Sequence, residues 1–108
     1  MLGEPEEFVI RFTDSVTISN ISAAHDLILS AVRRDSSVNI DISEVTETDL
    51  TFIQLIESAR RSAIESGRSV RLRQPAGGAV LQVLRRGGFL EGDDPGRSDF
   101  WLQGTSEQ

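Results

Sequence analysis

The sequence predicts an α/β fold, a mixed four- to five-stranded sheet with helices packed on it. Two observations carry that expectation. Stretches with a period of two alternate along the chain with stretches of helical period, in the order β-β-α-β-α-β-α with an optional closing β. The length, 108 residues of which 38% are hydrophobic, suits one compact domain with a modest core. Residues 1–108 are therefore expected to form a single domain. Its core would run over about 7–90, with a loop and candidate last strand over 91–104 and a polar tail over 105–108.

In "EEFVIRFTDSVTISN", Phe8, Ile10 and Phe12 alternate with Val9 and Arg11, and Val16 and Ile18 resume the alternation after "TDS". This pattern predicts two strands joined as a hairpin. Ala24, Leu27, Ile28, Ala31 and Val32 then fall on one helical face, with Ser19, Asn20 or Ser22 as candidate caps and Arg33 and Arg34 in the last turn. In "SVNIDIS", Val38, Ile40 and Ile42 point one way and Asn39 and Asp41 the other, as in a strand with one less covered face.

The stripe Phe52, Leu55, Ile56, Ala59 and Ala63 predicts a helix that stops at Gly67. Glu57 with Arg61 and Arg61 with Glu65 are expected as i,i+4 pairs on its outer face. "RSVRLRQ" reads as a strand with Val70 and Leu72 inward. "PAGGAVLQVLRRGGFL" reads as a short helix with Ala79, Val80, Val83 and Leu84 inward, ended by Gly87 and Gly88 and locked by Phe89. "FWLQ" is a final strand or an apolar clasp. No internal repeat is present.

A net charge of −6 and a pI near 4.7 argue against nucleic acid as the main partner, because phosphate binding needs a positive field. All eleven basic residues are arginine. The absence of cysteine excludes disulfides, thiolate metal sites and cysteine nucleophiles. The acidic "MLGEPEEF" is too polar for a signal peptide, and no apolar run nears the roughly 20 residues that a membrane helix needs. The expected location is the cytoplasm.

Chemistry-bearing residues are sparse. His25, the single histidine, has no nucleophile or metal partner at a recognised spacing and reads as a surface residue. "QPAGGAV" is an anion-holding helix start or an ordinary loop, and lacks the Gly-Lys-Ser/Thr of a P-loop. Arg68, Arg71 and Arg73, with Arg85 and Arg86, form either a positive patch or a solvated face. Phe100 and Trp101 either anchor a partner or cover an open edge. With no nucleophile–base pair, cofactor motif or metal-ligand set, the expectation is a protein that is not an enzyme and needs no cofactor.

The most informative stretch is "DISEVTETDLTFIQL", where a strand runs through an acidic, threonine-rich turn into a helix. Thr51 followed by Gln54 has the form of a capping box, and Asp49 is the rival cap. Capping explains one of these residues but not the whole turn.

Here the chain resembles the STAS domain family of sulfate transporters and anti-sigma factor antagonists. The element order from Phe8 to about Leu90 is similar. "VNIDISEVTETDLTFIQLIESARRSA" resembles the family's strand, Asp-Leu-Ser, turn, Asp-Ser-Ser-Gly and helix, and "VLQVLRRGGFL" resembles its closing helix and glycine stop. "DLTFIQL" with the late "FWLQG" looks most like short stand-alone bacterial members, including those of chemotaxis systems.

The resemblance implies a switchable binding module in signal transduction. In the anti-sigma antagonist type, a kinase phosphorylates a serine at this helix start and so releases the bound partner. Asp41 and Ser43 match the first motif, and Asp49 matches the aspartate of the second. Leu50 stands where the phosphorylated serine usually is, Thr51 matches the next hydroxyl residue, and Phe52 replaces the glycine. Either Thr51 has taken over as phospho-acceptor, or the switch is lost and Leu50 is a constitutive apolar docking point. The acidic neighbours Glu44, Glu47 and Asp49 would repel a phosphate, which carries about two charges at pH 7. Expected partner-binding residues are Glu47, Thr48, Asp49, Leu50, Thr51 and Gln54. The expected partner is a protein: an anti-sigma-type kinase, a chemotaxis component or, for an accessory subunit, a lipid-transport ATPase. A small-molecule or nucleotide sensor using "PAGGAV" is the alternative from another class.

Overall fold

The computed structural model describes residues 8–34, 37–91 and 95–104. The elements are β1 (Phe8–Val16), α1 (Ile21–Arg34), β2 (Ser37–Thr48), α2 (Leu50–Glu65), β3 (Ser69–Leu72), α3 (Gly78–Arg86) and α4 (Pro95–Leu102). The expected core start at residue 7, part of the loop (92–94) and the tail (105–108) lie outside the described residues.

The sheet has three strands among the described residues, ordered β1-β2-β3, and both pairings are parallel. This corrects the expected mixed sheet of four to five strands at two places. The "TDS" segment is not a hairpin turn. Chain 8–16 is one strand, and Asp14 takes a left-handed φ of 61° within it, a conformation that short polar side chains tolerate. Pairing slips between Arg11 and Thr13 and again between Asp14 and Ser15, where β2 carries one extra residue each time. These are bulges, which share their residue preferences with turns. The chain turns instead at Thr17–Asn20. There the Asn20 side chain accepts from the Thr17 amide (2.9 Å) and donates to the Ser15 carbonyl (2.8 Å). At the other end, "FWLQ" is not a strand: Phe100, Trp101 and Leu102 finish α4.

The first bulge also reverses the facing of β2. Val38, Ile40 and Ile42 are buried before it, and Val45 after it, because one inserted residue moves every later side chain to the other face. The even-numbered residues Ile10, Phe12, Val38, Ile40, Val70 and Leu72 form one core cluster with Ile28, Phe52, Ile53, Ile56, Val80 and Leu84. On the odd-numbered face, Val9, Arg11, Arg71 and Arg73 are exposed. The core includes Ile53, which the expected stripe omitted, while Leu27 is exposed.

Glu57 and Arg61 do not face outward as a pair. Glu57 is buried, accepts from Arg60 Nη2 (3.0 Å) and from the Trp101 indole (2.6 Å), and has Arg97 Nε at 3.6 Å. A buried carboxylate needs such donors to offset its desolvation. Trp101 and Arg97, both on α4, fasten that helix to α2. The Trp101 carbonyl accepts from the Ala76 amide (2.7 Å), and Gln103 donates to the Leu72 carbonyl (2.8 Å), so α4 also clasps the end of β3. Trp101 is therefore fully buried structure.

Candidate functional site

The turn between β2 and α2 is built by hydrogen bonds to side-chain oxygens. Thr48 Oγ1 donates to the Val16 carbonyl (2.8 Å), and Ser15 donates to Glu47 (3.1 Å), so the ends of β1 and β2 are tied together. Asp49 is the N-cap of α2. One carboxylate oxygen accepts from the Thr51 amide (3.1 Å) and the other from the Ile18 amide (2.9 Å). One side chain thus starts the helix and holds the Thr17–Asn20 turn against it. The capping-box expectation is corrected: Thr51 lies inside the helix at its second position, half-buried, with its amide as the capped donor.

This scaffold turns two large apolar side chains outward. Ile18 is 70% exposed and Leu50 43%. Both line an open depression of about 510 Å³ that also includes Thr48, Asp49, Thr51 and Val83. Arg86 and Gly87 complete its rim from α3. The structure therefore gathers Thr48, Asp49, Leu50 and Thr51 around one depression. Glu47 stands apart on β2, bonded to Ser15. Gln54 lines a neighbouring depression with Glu57, Arg61 and Phe89.

Ile18 was expected to resume an inward strand pattern. It stands instead in the exposed turn, because β1 ends at Val16 and Asn20 folds the chain back. Val83, Arg86 and Gly87 join the site from α3, and no local signal marks them. Gly87 is the exception in one respect: its place in the "RRGGFL" stop was legible, but its contact with Leu50 was not.

Asp41 and Ser43 lie farther back on β2. Asp41 Oδ1 accepts from the Ser43 amide (3.0 Å) and hydroxyl (2.7 Å), and Oδ2 accepts from Arg11 Nε (3.2 Å). These bonds, the Ser43 amide foremost, hold the Asp41 carboxyl below its ordinary 3.8 against the opposing effect of burial. The pair stabilises the first bulge of β2, where it meets β1. His25 is exposed beside Asp26. Among the described residues no group of three or more His, Cys, Asp or Glu side chains gathers as a metal site, and no helix is long and apolar enough to cross a membrane.

A search of the curated proteins finds no match. A family model described as "Mlab, STAS domain" matches residues 3–91. That span contains the strand, the Asp41–Ser43 bulge, the Asp49-capped helix and α3 with its glycine stop, and it ends before α4. On this match, over most of its length, the chain belongs to the STAS domain family.

Proposed function

We propose that this STAS domain is a regulatory module that docks a protein partner through the 45–51 turn and the first turns of α2. The observation that carries this reading is the adjacency of Ile18 and Leu50. Both are large, apolar and exposed, and one Asp49 carboxylate accepts from the amide of Ile18 and from that of Thr51, the residue after Leu50. Two such side chains at a shallow, polar-rimmed depression suit a buried contact inside a protein interface. Family membership supports a regulatory or binding role. The module works in the cytoplasm, performs no catalysis and requires no cofactor. Leu50 occupies the family's acceptor position, so docking is constitutive and is not switched by phosphorylation at that residue.

The test is co-purification from the native organism with wild type beside Leu50→Asp, the bound proteins being identified by mass spectrometry. Leu50 is the first residue of the helix, where a carboxylate is electrostatically favourable, so the variant keeps its fold. A partner held by wild type and lost by the variant supports the reading. Its identity then separates a kinase, a chemotaxis component and a transporter ATPase. A partner indifferent to the change contradicts it.

A further inference from the structure

A second surface lies along β3 and shares no lining residue with the depression at Leu50. Among the described residues β3 is an edge strand, since the sheet order ends with it. Along it runs an open groove of about 730 Å³, walled on its other side by α4 and the C-terminal half of α2. Four arginines line the groove, Arg60, Arg68, Arg71 and Arg73, against a single acid, Asp99. That imbalance stands out in a chain of net charge −6.

Two of these arginines are committed. Arg60 is paired with Glu57, and Arg68 donates to the Val32 carbonyl, which leaves its charge unneutralised. Arg71 and Arg73 are exposed, and among the described residues neither meets a carboxylate. Ile64 lines the same groove while 62% exposed, and half-buried Phe100 lies opposite.

The outer backbone edge of β3 is paired only in part. Arg73 donates its amide inward to Ile40, and the Leu72 carbonyl points outward to Gln103. By the period of two, the Val70 amide and carbonyl and the Leu72 amide point outward as well. A strand edge with three remaining outward groups, alternating cations and an exposed apolar rim together match an extended acidic strand.

We propose that the β3 edge binds an acidic, extended segment of a protein partner by strand addition. Its carboxylates would meet Arg71 and Arg73, and its apolar residues would meet Ile64. A second copy of this chain is disfavoured as occupant. Edge-to-edge pairing of two β3 strands brings the same arginines together, and like charges across a ladder destabilise it. This surface is separate from the turn at Leu50. Arg60 alone stands about 15 Å along α2 from Leu50, at roughly 1.5 Å per residue.

The test uses the whole chain and an eight-residue peptide alternating Glu and Val, with a Lys-Val peptide as control. Binding is read by fluorescence anisotropy and by amide shifts in NMR. The expected result is saturable binding of the Glu peptide only, with shifts at Val70 and Leu72. Affinity should fall about tenfold or more in Arg71→Glu/Arg73→Glu and stay unchanged in Leu50→Asp. No binding of the Glu peptide, equal binding of both peptides, or full binding by the double variant overturns the proposal. So does an Arg71→Ser/Arg73→Ser variant that self-associates while the wild type ignores the peptide, which would assign the arginines to edge protection. Because Leu50→Asp is run in parallel, failure here leaves the docking turn untouched.

Discussion

Leu50 packs over Gly87: a Cβ on Gly87 would stand 2.6 Å from Leu50 Cδ2 and 3.0 Å from the Phe89 ring. The glycine at the end of α3 thus leaves room for the leucine at the start of α2. Gly87 itself has φ −84°, which any residue adopts, so the constraint is space. Gly87→Ala is expected to push the flexible end of Leu50 aside. Loss of backbone freedom in the unfolded chain offsets part of that crowding, so stability changes by less than about 1 kcal/mol. Partner affinity falls. Urea denaturation beside a binding titration checks both halves.

Asp49→Ala removes the cap of α2 and the acceptor for the Ile18 amide together. The expected destabilisation is about 1 to 2 kcal/mol. Asn offers a single acceptor oxygen, so it can keep one of the two bonds, and Asp49→Asn is expected to lose less stability than Asp49→Ala. Equal losses in Asp49→Ala and Asp49→Asn would show that a single retained bond, without the charge and the second acceptor, does not cap the helix.

Asp41 has a carboxyl held below its ordinary 3.8 by Ser43 and Arg11. Its folded-state value is therefore lower than its unfolded one. The stability it contributes is fully present above pH 3.8 and is lost as pH falls through the folded value. Asp41→Asn should accordingly be less stable than wild type at neutral pH, and the gap should close in acid below about pH 3.8. Chemical denaturation at stepped pH measures it. A gap that stays constant into acid would contradict the assignment.

Trp101→Phe leaves the buried Glu57 carboxylate without its indole donor. An unmet buried acceptor costs about 1 to 3 kcal/mol. Because the Trp101 carbonyl holds the Ala76 amide, hydrogen exchange at Ala76 should accelerate in the same variant. Unchanged exchange there would mean that α4 is held without the Glu57 bond.

These results separate what was legible in the sequence from what was not. Helical stripes such as Phe52–Ile56–Ala63 and alternating strands such as Val38–Ile40–Ile42 act locally, and the structure places them as the periodicity implies. Asp49 was legible as a rival cap for the same reason. "TDS" misled because a bulge and a turn draw on the same residues, and only pairing with β2 distinguishes them. Of the two readings of "FWLQ", the apolar clasp holds and the strand does not, because apolar content decides burial and not helix or strand. Glu57 turned inward toward the Arg97 charge and the Trp101 indole donor, which lie about forty residues on in sequence. Ile18 and Gly87 meet Leu50 only through the tertiary fold, which no local pattern records.

The most direct test of the docking surface is the affinity of the co-purified partner for four proteins: wild type, Leu50→Asp, Ile18→Asp and Val9→Asp. Val9 is a similarly exposed apolar residue, but it lies seven residues before the end of β1, about 23 Å from the site at roughly 3.3 Å per residue. Docking at this turn predicts that Leu50→Asp and Ile18→Asp each weaken binding about tenfold or more, while Val9→Asp binds as wild type does. Equal affinity for all four proteins would contradict it.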